Sequence, residues 1–353
     1  MTVTVYSSKD PSAATLTGLA GSLVAVLDAC LVNGYGTKPA AGWTIAYTGT
    51  NQRVYKMNAT AGTGNSLFVN DAGPSISNEA EMTSFESPTG LGSGSGQFPT
   101  ATQISIGIGA VVCRKSATSD ATVRNWTLIA DDTCFYLFIE TGDFAAPLAT
   151  MPFIFGDIFS YKTSDPYRTL IIGRNAANNN TNSFENFGTL PGVSYSPLAI
   201  TLGGHFMDRH WSGVGGSIPV GKHIEQAKLS GPLYGQGGAG YSGTNPIPLN
   251  NNPVVGIGGV SPGLVTFNYP NGPDGGLYLS PIWIHHNGSV RGYLKGLWSP
   301  VQSTPLNHND TYSGTGNLTG KSFLSQSIMI GSNSAWQNSF IGQVHIETSS
   351  TWS

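Results

Sequence analysis

The stretch "GGHFMDRHWSG" sets His205, Asp208 and His210 within six residues, and these are side-chain types that bind zinc or pass protons. In an extended chain residues 205 and 210 point to opposite faces. On a helix their step of five is worse than the step of four that zinc-binding helices use. With no accompanying cysteine or carboxylate pattern, the segment reads as a polar turn, not a metal site. "WIHHNG" carries His285 and His286, which as neighbours face opposite sides of an extended chain and so read as strand-end and turn residues. Asp131 and Asp132 are adjacent carboxylates of the kind that acid and base chemistry on glycosides requires. Placed between two apolar runs, they are explained by turn chemistry, because Asp accepts hydrogen bonds from its own backbone there.

"GQGGAG" at Gly235–Gly240 satisfies the letter of the dinucleotide fingerprint. That motif needs a helix after it to receive the pyrophosphate, whereas here Tyr241, Ser242, Gly243, Thr244, Asn245 and Pro246 follow, so it reads as a loop. The chain holds no G-x-S-x-G, no H-E-x-x-H and no P-loop lysine. Three cysteines, Cys30, Cys113 and Cys134, are an odd number in apolar settings, which suits buried reduced thiols rather than a disulfide framework or zinc site. The expectation from these residues is no catalytic, cofactor-binding or metal site, with an enzyme assembled from distant residues as the remote alternative.

The elements that would position such residues are mostly strands. One exception opens the chain, "LTGLAGSLVAVLDACLVNGYG", where Leu16, Leu19, Ala20, Leu23, Leu27 and Leu31 recur at helical steps. Asp10–Pro11 offers a start, and Asn33, Gly34 and Gly36 a stop, predicting a helix from Pro11 to Val32 that covers a face of the chain's own sheet. "GWTIAYTG", "QRVYKM" and "SLFVND" read as a meander. Residues 126–130 and 133–140, joined through Asp131 and Asp132, make the clearest hairpin. The expected fold class is mainly β, antiparallel and sandwich-like, with one N-terminal α-helix packed on the first sheet. Two domains are expected, 1–174 and 175–353. The second carries a long loop excursion at about 230–262, expected with the Asn-rich 175–197 segment at a subunit interface.

Composition narrows the class. Only 10% of the 353 residues are charged, against roughly 25% in ordinary soluble domains, and 47 glycines and 21 prolines take up the difference. A formal net charge of −3 without a Lys/Arg-rich run gives no footprint for nucleic acid. No apolar run approaches the ~20 residues of a membrane span, and the N-terminus has no basic-then-apolar secretion pattern. A soluble chain without an export signal is expected.

Four blocks carry a resemblance: "LTGLAGSLVAVLDACLVNGYGTKPAAGWTIAYTGTNQRVYK", "NWTLIADDTCFYLFIETG", "FIFGDIFSYKTSDPYRTLIIG" and "VRGYLKGLWSPVQSTPLNHNDTYSGTGNLTGKSFL". Their order resembles a family of virion structural proteins of tailed bacteriophages. The resemblance implies a non-enzymatic particle component in a tail, neck, baseplate or head-decorating position. Its partners would be other copies of itself and other virion proteins, and it would be assembled in the host cytoplasm. Two rival readings stand beside it. A receptor- or glycan-binding module would present exposed Trp or Tyr on the "GLYLSPIWIHH" and "GYLKGLWSP" strands, and an envelope- or polysaccharide-degrading enzyme would converge carboxylates in a deep groove.

Overall fold

The computed structural model describes residues 2–73, 78–104, 111–142, 150–175, 204–219, 221–223, 276–286, 289–300, 306–333 and 336–352. Gly235–Gly240, the 230–262 excursion and all of the 175–197 segment except its first residue lie outside the described residues.

The apolar N-terminal segment forms a helix half as long as its periodicity predicts. Ser22–Leu27 is α-helical and continues as a π-helical turn over Asp28–Asn33. Asp10 is not its cap: its carboxylate accepts from the Ser7 amide and the Tyr35 hydroxyl. Two glycines displace the start. A Cβ on Gly18 would lie 1.8 Å from the Thr118 carbonyl oxygen, and Gly21 adopts φ +84°, a left-handed conformation that breaks the helical path. Residues before it instead run along another segment, with the Arg124 amide donating to the Leu16 carbonyl at 2.9 Å. Leu19, expected on the apolar stripe, is consequently exposed. The start of the helix is held from outside by Asp71, whose Oδ2 accepts from the Leu23 amide at 2.8 Å and the Val24 amide at 3.4 Å. Lys115, fully buried, pairs with the same carboxylate. The stop falls where expected, with Gly34 at φ +73° and Gly36 at φ +55°.

Around this helix curls an antiparallel sheet of 12 strands among the described residues. Its main path runs Thr4–Ser7, Trp126–Ala130, Cys134–Ile139, Met151–Asp157, Thr169–Asn175, Val111–Arg114, Glu79–Phe85, Ser66–Asn70, Gln52–Lys56 and Thr44–Gly49. Gly204–Arg209 pairs with Thr169–Asn175, and Gly216–Pro219 pairs with Gly204–Arg209, so the sheet takes in residues from both sides of position 174. A second antiparallel sheet has the order Gly221–His223, Leu279–His286, Ser289–Pro300, Trp336–Glu347, Ser322–Asn333, Thr311–Ser313, with Phe159–Ser160 added beside Ser289–Pro300. No helix among the described residues is long and apolar enough to cross a membrane.

The second sheet packs on one face of the first, and this accounts for the run "CFYLFI". In a strand alternate side chains take opposite faces, and a strand covered on both faces can be apolar throughout. Phe135, Leu137 and Ile139 join the helix residues Leu23, Leu27 and Leu31 in one core. Cys134, Tyr136 and Phe138 join Ile284, Leu294, Ile328 and Val344 in the other. Phe153 and Phe155 against Ile154, and Ile171 against Leu170 and Ile172, repeat the division. The chain is thus mainly β and sandwich-like, with its helix packed on its own first sheet.

The three thiols sit inside this framework. Cys30, Cys113 and Cys134 are free and buried. Burial pushes each thiol's pKa up, that of Cys134 to about 12, which keeps them protonated and unreactive.

Candidate functional site

Where the two sheets meet beside the edge strand Thr4–Ser7, a cavity of about 210 Å³ opens. Val5, Phe138 and Leu324 supply apolar wall, while Lys9, Asn125, Glu140, His308, Asn309 and Gln326 bring polar groups to it. Glu140 follows the strand Cys134–Ile139, so the alternation that buries Phe138 toward the second sheet ends at a carboxylate on the same side. His308 arrives from the turn before Thr311–Ser313, a turn in which Asn309 has φ +67° and Asp310 Oδ2 accepts from the Asn307 amide at 2.6 Å.

The His308 ring is fixed at both nitrogens. The Ser327 amide donates to Nδ1 at 3.1 Å, which makes Nδ1 the acceptor and leaves Nε2 to donate to Glu140 Oε1 at 3.3 Å. Asn125 Nδ2 donates to the other carboxylate oxygen at 3.0 Å. The His308 hydrogen bond is the largest influence on Glu140 and lowers its pKa, with Asn125 adding to the effect against the opposing cost of burial. The cavity therefore presents a fixed anion. The His308 side chain, 2% exposed, holds that carboxylate in place and has no nitrogen left to serve as a base. Deeper in, Gln326 Nε2 donates to Asn309 Oδ1 at 2.6 Å, and the buried Gln326 Oε1 has no hydrogen-bond partner.

A second feature lies on the surface. Phe159 (46% exposed) and Tyr161 (57% exposed) flank Tyr293, with ring centroids 4.7 Å and 6.0 Å from it, and Trp283 Nε1 donates to the Tyr161 hydroxyl at 3.2 Å. Next to Tyr161, Lys162 Nζ sits 5.9 Å above the half-exposed Trp211 ring, which His210 approaches at 5.0 Å. Backbone pairing of Phe159 with Tyr293 fixes the centre of the group, because Phe159–Ser160 is an added edge strand of the second sheet.

The residues singled out in the sequence do not converge. His205 and Asp208 lie on the strand Gly204–Arg209, not in a turn. The turn follows it, where His210 Nδ1 meets Ser212 Oγ at 2.8 Å. The strand face of Phe206 leads into the first core and that of Met207 into the second, so Asp208 and His205 take opposite faces. Asp208 accepts from Asn65 Nδ2 at 3.1 Å, and burial raises its pKa well above the usual range. Among the described residues no three His, Cys, Asp or Glu side chains are grouped to hold a metal. The backbone of His285 and His286 closes the strand Leu279–His286. Asp131 and Asp132 form the expected hairpin turn and diverge. Asp131 Oδ1 takes the Thr133 and Cys134 amides, both at 2.7 Å, while its Oδ2 meets Lys295 Nζ of the second sheet at 3.0 Å. Asp132 Oδ2 accepts from Asn58 at 2.8 Å.

Glu140, His308 and Gln326 escape a reading by local spacing, since 168 residues separate the first two. The one local signal is "NHND", a turn composition around a histidine. The chain matches no known protein family and no curated protein.

Proposed function

We propose that this chain is a non-enzymatic structural subunit of a tailed-bacteriophage particle, working as a symmetric homo-oligomer in a tail, neck, baseplate or head-decorating position. The observation that carries the oligomeric part is the aromatic group Phe159, Tyr161, Tyr293 and Trp283, with Val290 53% exposed on the same second-sheet strand as Tyr293. Clustered exposed aromatic side chains mark interaction surfaces, and Tyr, Trp and Phe are enriched in interfaces. A second copy of the chain is the favoured occupant. Low charge removes the repulsion that keeps identical copies apart, and a patch on a rigid sheet edge can bury itself against its own equivalent. Assignment to a phage particle rests on the resemblance of the four sequence blocks, together with a charge-poor β framework suited to close assembly.

The same patch favours a second reading, a glycan- or receptor-binding module, because Trp283 and Tyr293 lie on the two strands named for that role. One experiment separates them. Light scattering of the wild-type chain should give an oligomer, and Phe159→Asp with Tyr161→Asp should give a monomer with unchanged melting temperature. A wild-type monomer at every concentration, combined with oligosaccharide binding that Trp283→Ala abolishes, would replace the structural reading by the glycan-binding one.

A further inference from the structure

We propose that Lys115 and Asp71 form an intramolecular isopeptide bond, an amide between Lys115 Nζ and Asp71 Cγ that closes with loss of one water. The inference goes beyond the particle role and does not depend on it. Both side chains are fully buried, and Nζ touches Asp71 Oδ1. Among the described residues this is the one lysine–carboxylate contact in which neither side chain reaches solvent, since Lys38, Lys295 and Lys321 each stay partly exposed in theirs. The contacts around the pair suit an amide better than two charges. An ammonium has three hydrogens to donate, and among the described residues Nζ has two acceptors, Asp71 Oδ1 and the Leu19 carbonyl at 2.6 Å. Asp71 Oδ2 accepts from the Leu23 amide at 2.8 Å and the Val24 amide at 3.4 Å. Condensation removes Oδ1 and two of the three nitrogen hydrogens. The remaining N–H keeps the Leu19 carbonyl and the remaining oxygen keeps both amides, so each polar atom of the product is paired and no charge stays in the core. A buried ion pair instead carries the desolvation cost of two charges, which can exceed their attraction.

The step needs no oxidant and no cofactor. Burial is the largest influence on Asp71 and raises its pKa, against lowering by Lys115 and by the two amides. The carboxyl accordingly takes a proton from the ammonium on Oδ1, which leaves a neutral amine beside a neutral acid. The Nζ lone pair attacks Cγ, and the negative charge that develops on Oδ2 faces the Leu23 and Val24 amides, which stabilise it as an oxyanion. A second nitrogen proton passes to Oδ1, the Cγ–Oδ1 bond breaks and water leaves. Fixed contact between the reacting groups supplies the proximity that the reaction otherwise lacks in solution. Among the described residues no second carboxylate hydrogen-bonds to either group, so the proton relay runs through Asp71 alone and the bond forms slowly, after folding.

Mass spectrometry of the intact full chain tests this, with samples denatured at intervals from purification through prolonged storage of the folded protein. A species one water lighter than the unmodified chain should appear and grow with time. Its tryptic digest should contain a branched peptide in which the side chains of residues 71 and 115 are joined. Lys115→Arg, which keeps the charge but cannot form the bond, should hold the unmodified mass throughout. Lys295→Arg, which changes the lysine paired with Asp131 instead, should lose water as the wild type does. A wild-type chain that stays at the unmodified mass would overturn the proposal, whether or not Lys115→Arg folds. A water loss that fragmentation places inside a linear peptide, as a cyclic imide, would overturn it as well.

Discussion

His345 illustrates how a single buried group sets the response of the molecule to acid. It is fully buried on the strand Trp336–Glu347, Tyr312 meets its Nδ1 at 2.9 Å, and burial lowers its pKa from 6.5 to about 3. In the unfolded chain the imidazole takes up a proton near pH 6.5 that the folded chain refuses until about pH 3. The stability tied to this group is fully present above pH 6.5 and falls as the pH drops toward 3, with a limiting slope of about 1.4 kcal/mol per pH unit. Buried Asp208, with its raised pKa, contributes in the opposite sense over the same range, so the test is a difference: in urea unfolding between pH 4 and 6, His345→Gln should lower the slope by about one proton's worth relative to the wild type. Glu140 acts in a different window. Its lowered pKa stabilises the fold above the ordinary carboxylate range, and that contribution is lost progressively from that range down through the lowered value; it is common to the wild type and His345→Gln and cancels from their difference.

At the scale of elements, the sequence discloses pairing where neighbours in the chain are neighbours in space. The hairpin at Asp131, the meander from Thr44 to Asn70 and the glycine stop after Asn33 are each decided by a few adjacent residues. The helix start is different. It depends on Thr118 crowding Gly18 and on Asp71 capping from 48 residues away, and neither can be read from a local repeat. The strand Glu79–Phe85 has no apolar run to mark it, because Glu79 and Glu81 alternate with its first apolar residues. Glu79 is nonetheless buried, compensated by Arg114 and Arg174 from other strands. The cavity at Glu140 shares this origin, since it exists only where the two sheets meet. The helix assignment carries its own expectation. Leu27 is fully buried in the first core, so Leu27→Ala should cost about 2–5 kcal/mol in chemical denaturation, while Leu19→Ala, on an exposed residue outside the helix, should be near neutral. Equal effects at the two positions would contradict the packing described for this segment.

For the molecule as a whole, the junction between sheets carries the function proposed for the surface. Arg291, whose side chain is 2% exposed, bonds Asp165 at 3.2 Å and the Tyr167 and Arg209 carbonyls, while Lys295 reaches Asp131 and Thr150 pairs with Ser327. These contacts tie the second sheet to the first, so the aromatic group at Phe159 and Tyr293 rides on a braced framework instead of a free loop. Bracing matters for assembly, because a rigid patch loses little freedom when it is covered. The central proposal, that the chain is a subunit of a phage particle joined to its own copies through this patch, is tested most directly by electron microscopy of intact phage particles purified from the source of the chain's gene. The account predicts density for the chain in a symmetric ring or array, with Phe159, Tyr161 and Tyr293 buried against an adjacent copy. Particles that lack the chain, or a map in which those three rings face solvent in every copy, would contradict it.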